Sequence, residues 1–146
     1  MTVLLDWTGE FDDWLDRMTE RAAAGDAHAR AQLVRVDAGL KFLAGLDGEP
    51  AAETPTLRRV RQSGRFPVWR VGHPYTPGVA VRLVVWFPPD RPGEVLVVLF
   101  GADKARMGDV FYERVGRRAD LAIEGYLRAV EQEQRAQQDS EGEGDE

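Results

Sequence analysis

Two apolar stretches near the middle of the chain decide the fold. They are Val79-Ala-Val-Arg-Leu-Val-Val-Trp-Phe87 and, after a turn rich in Pro and Gly, Glu94-Val-Leu-Val-Val-Leu-Phe100. Both are rich in β-branched residues and are bounded by turn residues, which predicts two strands joined by a short connection. A charged residue inside such a run has either an ion-pair partner or an anionic ligand. The cation inside the first stretch, Arg82, is therefore the first candidate functional residue.

The alternation of side chains along the first stretch predicts two different faces. One face carries only apolar side chains: Val81, Leu83, Val85 and Phe87. The other face carries Arg82 together with Val84 and Trp86. We expect the apolar face to pack against helices from the N-terminal part of the chain. Arg82 then lies on the face that those helices leave open, with Arg70 on a neighbouring strand.

The rest of the chain supplies the partners of these strands. Thr8 and Asp26 each precede a run with helical spacing of apolar residues, and Gly45 follows the second run, which predicts a helix hairpin. Strand patterns recur at residues 57–61 and 66–71, and a helical pattern follows Asp109. The predicted fold is α+β. An N-terminal strand and helix hairpin pack on a four-stranded antiparallel meander sheet, which is followed by a C-terminal helix.

Length and composition limit the class of protein. The 146 residues suffice for one domain with a core, which we place at residues 1–130. Residues 131–146 lack apolar side chains to bury, which predicts a disordered acidic tail. The absence of cysteine excludes disulfides and cysteine-based zinc sites. No apolar run approaches the length of a membrane span, and the first six residues do not resemble a signal peptide. We expect a cytoplasmic protein without membrane partners.

The net charge of −6 conceals three blocks of different sign. Residues 1–57 carry five Lys and Arg against eleven Asp and Glu, and residues 131–146 carry one against seven. Residues 58–130 carry thirteen against seven. The central block has the sign of a phosphate-binding surface, although neutralisation of a basic sheet by acidic helices explains the same layout.

Several cations and aromatics of the central block fit a nucleic-acid cradle. A guanidinium group grips phosphate with two donors, and an aromatic face stacks on a base. The candidates for lining the centre of such a cradle are Arg70, Arg82, Lys104 and Tyr112. The candidates for holding the rest of an RNA strand are Arg58, Arg61, Arg106 and Trp86. Arg58, Arg59 and Arg61 also fit a solvated strand edge, and Tyr112 also fits a core aromatic. No metal site is predicted.

The order of elements and four short motifs resemble the RelE/ParE superfamily, the toxins of type II toxin–antitoxin systems. The motifs are Trp69-Arg-Val, Val81-Arg-Leu-Val-Val-Trp, Val97-Val-Leu-Phe-Gly-Ala-Asp-Lys and Phe111-Tyr-Glu-Arg. The resemblance implies an endoribonuclease that cleaves mRNA on the ribosome without metal or cofactor. In that chemistry the 2′-hydroxyl attacks the adjacent phosphate. The implied partners are mRNA, the ribosome and a cognate antitoxin protein.

The same resemblance implies roles for individual residues. Arg82 matches the strand arginine that contacts the scissile phosphate, and Arg70 matches a basic residue on the second sheet strand. Lys104 and Arg106 fall around the basic position after the last strand, and Tyr112 matches the C-terminal tyrosine. Gly72 stands where many active members carry a second basic residue.

Two questions stay open at the level of sequence. The general base is one of them, since His73 lies in a Pro/Gly-rich loop and Lys104 is the remaining candidate. The other is the alternative function of a non-catalytic member of the fold, which acts by binding gyrase or another protein partner. In that case Arg82 and Tyr112 are dispensable.

Overall fold

A computed structural model describes residues 2–72, 79–103 and 114–144 of the chain, with side chains as far as residue 140. The elements in chain order are β1 (Leu4–Trp7), α1 (Gly9–Ala23), α2 (Ala27–Ala44), β2 (Leu57–Arg59), β3 (Trp69–Gly72), β4 (Val81–Trp86), β5 (Val95–Asp103) and α3 (Val115–Gly144). This architecture confirms the α+β class. None of the described helices is apolar enough over a sufficient length to cross a membrane.

The sheet has five strands in the order β1-β5-β4-β3-β2. Strands β2 to β5 form the expected antiparallel meander. The prediction of a four-stranded antiparallel sheet is incomplete, because β1 joins the sheet and pairs in parallel with β5. The connection between these two parallel strands is long, because it contains the helix hairpin and then β2, β3 and β4.

Both helices of the hairpin begin at the predicted caps. The Thr8 hydroxyl accepts a hydrogen bond from the N–H of Phe11 (3.1 Å), and it donates to the carbonyl of Leu99 on β5. The Asp26 carboxylate accepts from the N–H groups of His28 and Ala29. These caps satisfy backbone donors that have no partner within the helix. Thr8 also fixes the start of α1 against the sheet.

The hairpin covers one face of the sheet, as the alternation in β4 predicts. The side chains of Val81, Leu83 and Val85 are buried there against α1 and α2, whose contributions include Phe11 and Met18. The first core therefore lies between the hairpin and the sheet.

The hairpin leaves the opposite face open, as expected, but the C-terminal helix covers part of it. Helix α3 packs on it through Val115, Ala119 and Ile123, and these side chains form a second core with Val84 and Trp86. A β-bulge opposite the step from Val84 to Val85 lets β5 add Leu99 as well as Phe100 to this core. The open part of this face lies toward β2 and β3.

Helix α3 continues through the segment that the composition predicts to be a disordered tail. Every side chain of residues 131–140 is exposed, so this part buries nothing. A salt bridge between Arg135 and Glu131 (2.7 Å) spans one helical turn. The division into a domain at 1–130 and a tail at 131–146 stays a prediction.

Candidate functional site: an arginine row on the open sheet face

Three arginines lie on neighbouring strands of the open sheet face, and we call them the arginine row: Arg58 on β2, Arg70 on β3 and Arg82 on β4. Arg58 is directly opposite Arg70 in the antiparallel register, and Arg82 is opposite Gly72. The strand neighbours Leu57, Trp69, Val71, Val81 and Leu83 are buried in the first core, so the three arginines point to the other face. The structure thus brings together three of the cations that the sequence singles out.

A groove of about 350 Å³ runs along the outer part of this row, between β2, β3 and the residues that follow β2. We call it the β2–β3 groove. The charged side chains that line it are Arg58, Arg59, Arg61, Arg70 and Glu53. Glu53 accepts a hydrogen bond from the N–H of Arg59 at 2.9 Å. The Arg59 guanidinium lies over Trp69 on the opposite face, so the groove presents the guanidinium groups of Arg58, Arg61 and Arg70 against one carboxylate and carries a net positive charge.

The like charges of Arg58 and Arg70 face each other directly across two strands. Such a pair destabilises an antiparallel sheet, and nearby negative charge relieves the repulsion. Arg59 points to the opposite face, where its guanidinium lies over the ring of Trp69 at 4.9 Å from the ring centroid. Arg59 therefore has a packing role, whereas Arg58 and Arg70 define the cationic surface.

Arg82 lies at the inner end of the row, half-buried beside β3. In the part of the chain that the structure describes, its guanidinium donates to the carbonyl of Val81 (3.1 Å) and forms no salt bridge. Its side chain crosses directly over Gly72, since a Cβ built on Gly72 meets Cδ, Nε and Cζ of Arg82 at 2.6–2.8 Å. Glycine at position 72 thus provides the space that Arg82 occupies.

Trp86 does not line this surface, which corrects its expected role in RNA binding. The side chain is 4% exposed and packs in the second core, edge-on to Phe66 at 5.8 Å between ring centroids. Its alternation with Arg82 is as predicted, but α3 covers the part of the face where Trp86 lies. A buried ring cannot stack on a base.

Four other candidates, Lys104, Arg106, Tyr112 and His73, lie outside the described residues. The chain reaches Lys104 directly after Asp103, the last residue of β5. Asp103 is opposite Val81, next to the register position of Arg82. The strand thus ends beside the inner end of the arginine row.

Sequence reasoning missed a polar network around Asp103. This buried carboxylate accepts from the Nε2 atoms of His28 (2.9 Å) and Gln32 (3.0 Å) and from the N–H of Ala80 (3.1 Å). Buried carboxylates require such donors. The spacing of His28 and Gln32 on the buried stripe of α2 was the available signal, but nothing in it indicates a partner 75 residues away. This network joins α2 to the ends of β4 and β5.

A hydrogen bond at the other edge of the sheet joins α3 to β1. The Tyr126 hydroxyl donates to Asp6 at 2.9 Å. Burial of the phenol, followed by the hydrogen bond and the negative charge of Asp6, raises the pKa of Tyr126 to about 12. Arg118 makes a second link there, because its guanidinium donates to Glu10 (2.6 and 2.9 Å) and lies over the ring of Phe100.

Among the described residues, no group of three or more acidic or histidine side chains is arranged to hold a metal ion. Comparisons with protein-family models, with curated proteins and with solved structures found no match to this chain. Function is therefore argued from the arginine row and from the residues around it.

Proposed function

We propose that this protein is an RNA-binding endoribonuclease that cleaves mRNA without a metal, as the toxin component of a type II toxin–antitoxin system. The observation that carries the proposal is the arginine row, in which Arg58, Arg70 and Arg82 share one face on three neighbouring strands. The element order β-α-α-β-β-β-β-α also agrees with the order on which the resemblance to the RelE/ParE superfamily rests. A fold hosts many functions, and the proposal therefore rests on the residues of the site.

The spacing of the row suits a phosphate backbone. Adjacent strands lie about 4.8 Å apart, and Arg82 is two residues, or about 7 Å, along β4 from the position opposite Arg70, so the first and third arginines are separated by roughly 12 Å at the backbone. Guanidinium groups at such intervals can contact successive phosphates of one extended strand. The β2–β3 groove continues this path outward past Arg61. Arg58 and Arg61 are proposed to hold the RNA backbone, and Arg82 and Arg70 to contact the reacting phosphate.

The proposed reaction is an intramolecular transesterification of RNA. The 2′-oxygen forms a bond to phosphorus, the bond from phosphorus to the 5′-oxygen breaks, and the proton lost by the 2′-hydroxyl is balanced by a proton gained at the 5′-oxygen. The products are a 2′,3′-cyclic phosphate and a 5′-hydroxyl end. Negative charge builds up on the phosphorane oxygens, and fixed cations stabilise this transition state more than they stabilise bound RNA. Lys104, Arg106 and Tyr112 complete the proposed site through the resemblance alone.

To test this function, purified protein is incubated with a 5′-labelled single-stranded RNA, first as free RNA and then as RNA bound to translating ribosomes. We expect cleavage products with 2′,3′-cyclic phosphate ends, and a cleavage rate about 100- to 1000-fold lower in the Arg82→Ala variant. Arg58→Ala should mainly weaken binding and reduce its salt dependence, because this residue is assigned to the backbone. Arg17→Ala is the matched control, since Arg17 is exposed on α1, on the other side of the sheet. Equal activity of the Arg82→Ala and Arg17→Ala variants would contradict the proposed site.

A further inference from the structure

A second groove lies at the β1 edge of the sheet, between the end of β1, the start of α1 and α3. We call it the β1–α3 groove, and its volume is about 420 Å³. Its apolar lining includes Trp7 from β1 and Leu121, Ala122 and Val130 from α3. None of the described arginines that are proposed to bind RNA lines it. In the sheet order, β1 lies two strand spacings, or roughly 10 Å, from β4 with Arg82 and four, or roughly 19 Å, from β2 with Arg58.

The two elements that form this groove carry most of the exposed apolar surface. The described part of the chain has five large hydrophobic side chains that are strongly exposed, and four of them lie on β1 or α3: Leu4 (65%), Trp7 (37%), Leu121 (57%) and Leu127 (43%). Scattered exposed hydrophobics need no explanation, but a concentration beside a concave surface is typical of an interaction site.

All charged side chains that line the groove are acidic: Asp6, Glu10 and Glu133. Asp6 and Glu10 are held in place by the hydrogen bonds from Tyr126 and Arg118. These two contacts also fix α3 against β1 and α1, so both walls of the groove are formed in the unliganded protein. Because Arg118 neutralises Glu10, the negative charge of the rim comes from Asp6 and Glu133, and it lies beside an apolar floor.

We propose that the β1–α3 groove is a docking site for an amphipathic helix of a partner protein, whose apolar stripe is flanked by Lys and Arg. Helix-in-groove binding uses apolar anchors at helical spacing, and the negative rim selects basic flanks. A second copy of this chain fits less well, because a twofold dimer through the same patch brings two acidic rims together. Strand addition also fits less well, since β1 has only four residues. The proposal does not depend on the RNA function.

A substitution at Gly125 can test the docking site without changing the fold or the charges of the protein. It lines the groove on α3, and a Cβ at this position meets no atom within 4 Å. Gly125→Gln therefore adds a side chain at the groove whose Cβ meets no neighbouring atom. Because glutamine is a better helix former than glycine, the variant should fold at least as stably as the wild type. Val34→Gln is the matched control, since Val34 is an exposed hydrophobic residue on α2.

The experiment is a binding titration with two fluorescein-labelled 18-residue helical peptides. Both place leucine along one face, and the other face carries lysine in the first peptide and glutamate in the second. We expect saturable binding of the lysine peptide, at least about tenfold weaker in Gly125→Gln and unchanged in Val34→Gln, and no binding of the glutamate peptide. Gly125→Gln keeps every charge, so a weaker affinity reports the groove rather than general attraction to an acidic protein.

Three results would overturn the docking site. The first is no saturable binding of the lysine peptide up to about 1 mM, an affinity that corresponds to about −4 kcal/mol. The second is equal binding of the two peptides. The third is equal binding of the lysine peptide by the wild type and Gly125→Gln. Sedimentation of the same samples tests the competing occupant. A wild-type dimer that Gly125→Gln converts to a monomer would assign the groove to a second copy instead.

Discussion

In the candidate site, the side chain of Arg82 lies directly over the backbone of Gly72. The arginine crosses over a glycine that lies opposite it in the register, so a methyl group there must displace Cδ, Nε and Cζ of the arginine. The position therefore sets where the guanidinium lies without contributing any charge. A substitution at position 72 therefore tests where the guanidinium lies, whereas a substitution at position 82 tests whether it is present.

Gly72→Ala should lower RNA cleavage while it leaves the free energy of unfolding almost unchanged. Misplacement of a catalytic group by about 1 Å can cost on the order of 100-fold in rate, so we expect a loss of about 10- to 100-fold. The loss should disappear in the Arg82→Ala background, because no guanidinium is left to displace. Cleavage rates of the four proteins of this cycle measure the coupling. A Gly72→Ala loss of equal size in both backgrounds would show that the glycine acts by another route.

The buried carboxylate of Asp103 accepts hydrogen bonds from three described donors, on His28, Gln32 and Ala80. Asp103→Ala leaves the Gln32 amide and the Ala80 N–H without this acceptor, and we expect it to lower the free energy of unfolding by about 3 kcal/mol. His28→Ala should cost only about 1 kcal/mol, since the imidazole is partly exposed. Urea unfolding at neutral pH measures both. A cost below about 1 kcal/mol for Asp103→Ala would contradict the structural role of the network.

The ionisation of Tyr126 makes a pH-dependent contribution to stability. Its folded-state pKa of about 12 lies above the ordinary value of 10.0, so the protonated phenol is favoured by folding. The contribution is complete below pH 10 and is lost as the pH rises toward 12. We therefore expect the difference in unfolding free energy between the wild type and Tyr126→Phe to shrink across this range. Denaturant unfolding of the two proteins from pH 9 to pH 12 tests this, and a constant difference would contradict it.

At the scale of the elements, Gly116 and Gly125 of α3 lie in opposite surroundings. A Cβ on Gly116 collides with the carbonyl oxygen of Gln62 and comes within 3.0 Å of the backbone nitrogen of Gly64. A Cβ on Gly125 meets open space. Both positions lie inside the same helix, so their intrinsic preference for alanine is the same.

Alanine at these two positions should therefore shift stability in opposite directions. Gly116→Ala forces backbone atoms apart and should cost about 1–3 kcal/mol. Gly125→Ala should gain up to about 1 kcal/mol, which corresponds to a rise in Tm of about 2–4 °C for a chain of this size. Thermal unfolding of both variants measures this. Similar shifts of the same sign would show that α3 does not pack against the turn at residues 62–64 as described.

The elements also show what the sequence predicts and what it does not. The caps at Thr8 and Asp26 and the two faces of β4 were predictable, because they depend on residues close together in the chain. The parallel pairing of β1 with β5 was not, since it joins residues about 90 positions apart. Helical periodicity in α3 indicates a buried stripe but not which sheet face it covers. For this reason the burial of Trp86 also escaped prediction.

At the scale of the whole molecule, charge and shape divide the protein into two surfaces. The arginine row and the β2–β3 groove lie toward one edge of the sheet, and the acidic β1–α3 groove lies at the other. The blocks of charge along the sequence predicted a positive central region. They did not predict that a positive and a negative surface lie at opposite edges of the sheet. Residues of the same central block, in α3, also line the acidic groove. The fold thus places opposite charges at opposite edges.

The most direct test of the RNA function is primer extension on a reporter mRNA after brief expression of the protein in cells. The wild type, Arg82→Ala and Tyr112→Phe are compared, with Arg17→Ala as the control. New cleavage ends in the reading frame, retained by Arg17→Ala and lost in the other two variants, are the predicted result. An intact transcript in the presence of well-expressed wild-type protein would contradict the account and would direct attention to binding of gyrase or another protein partner.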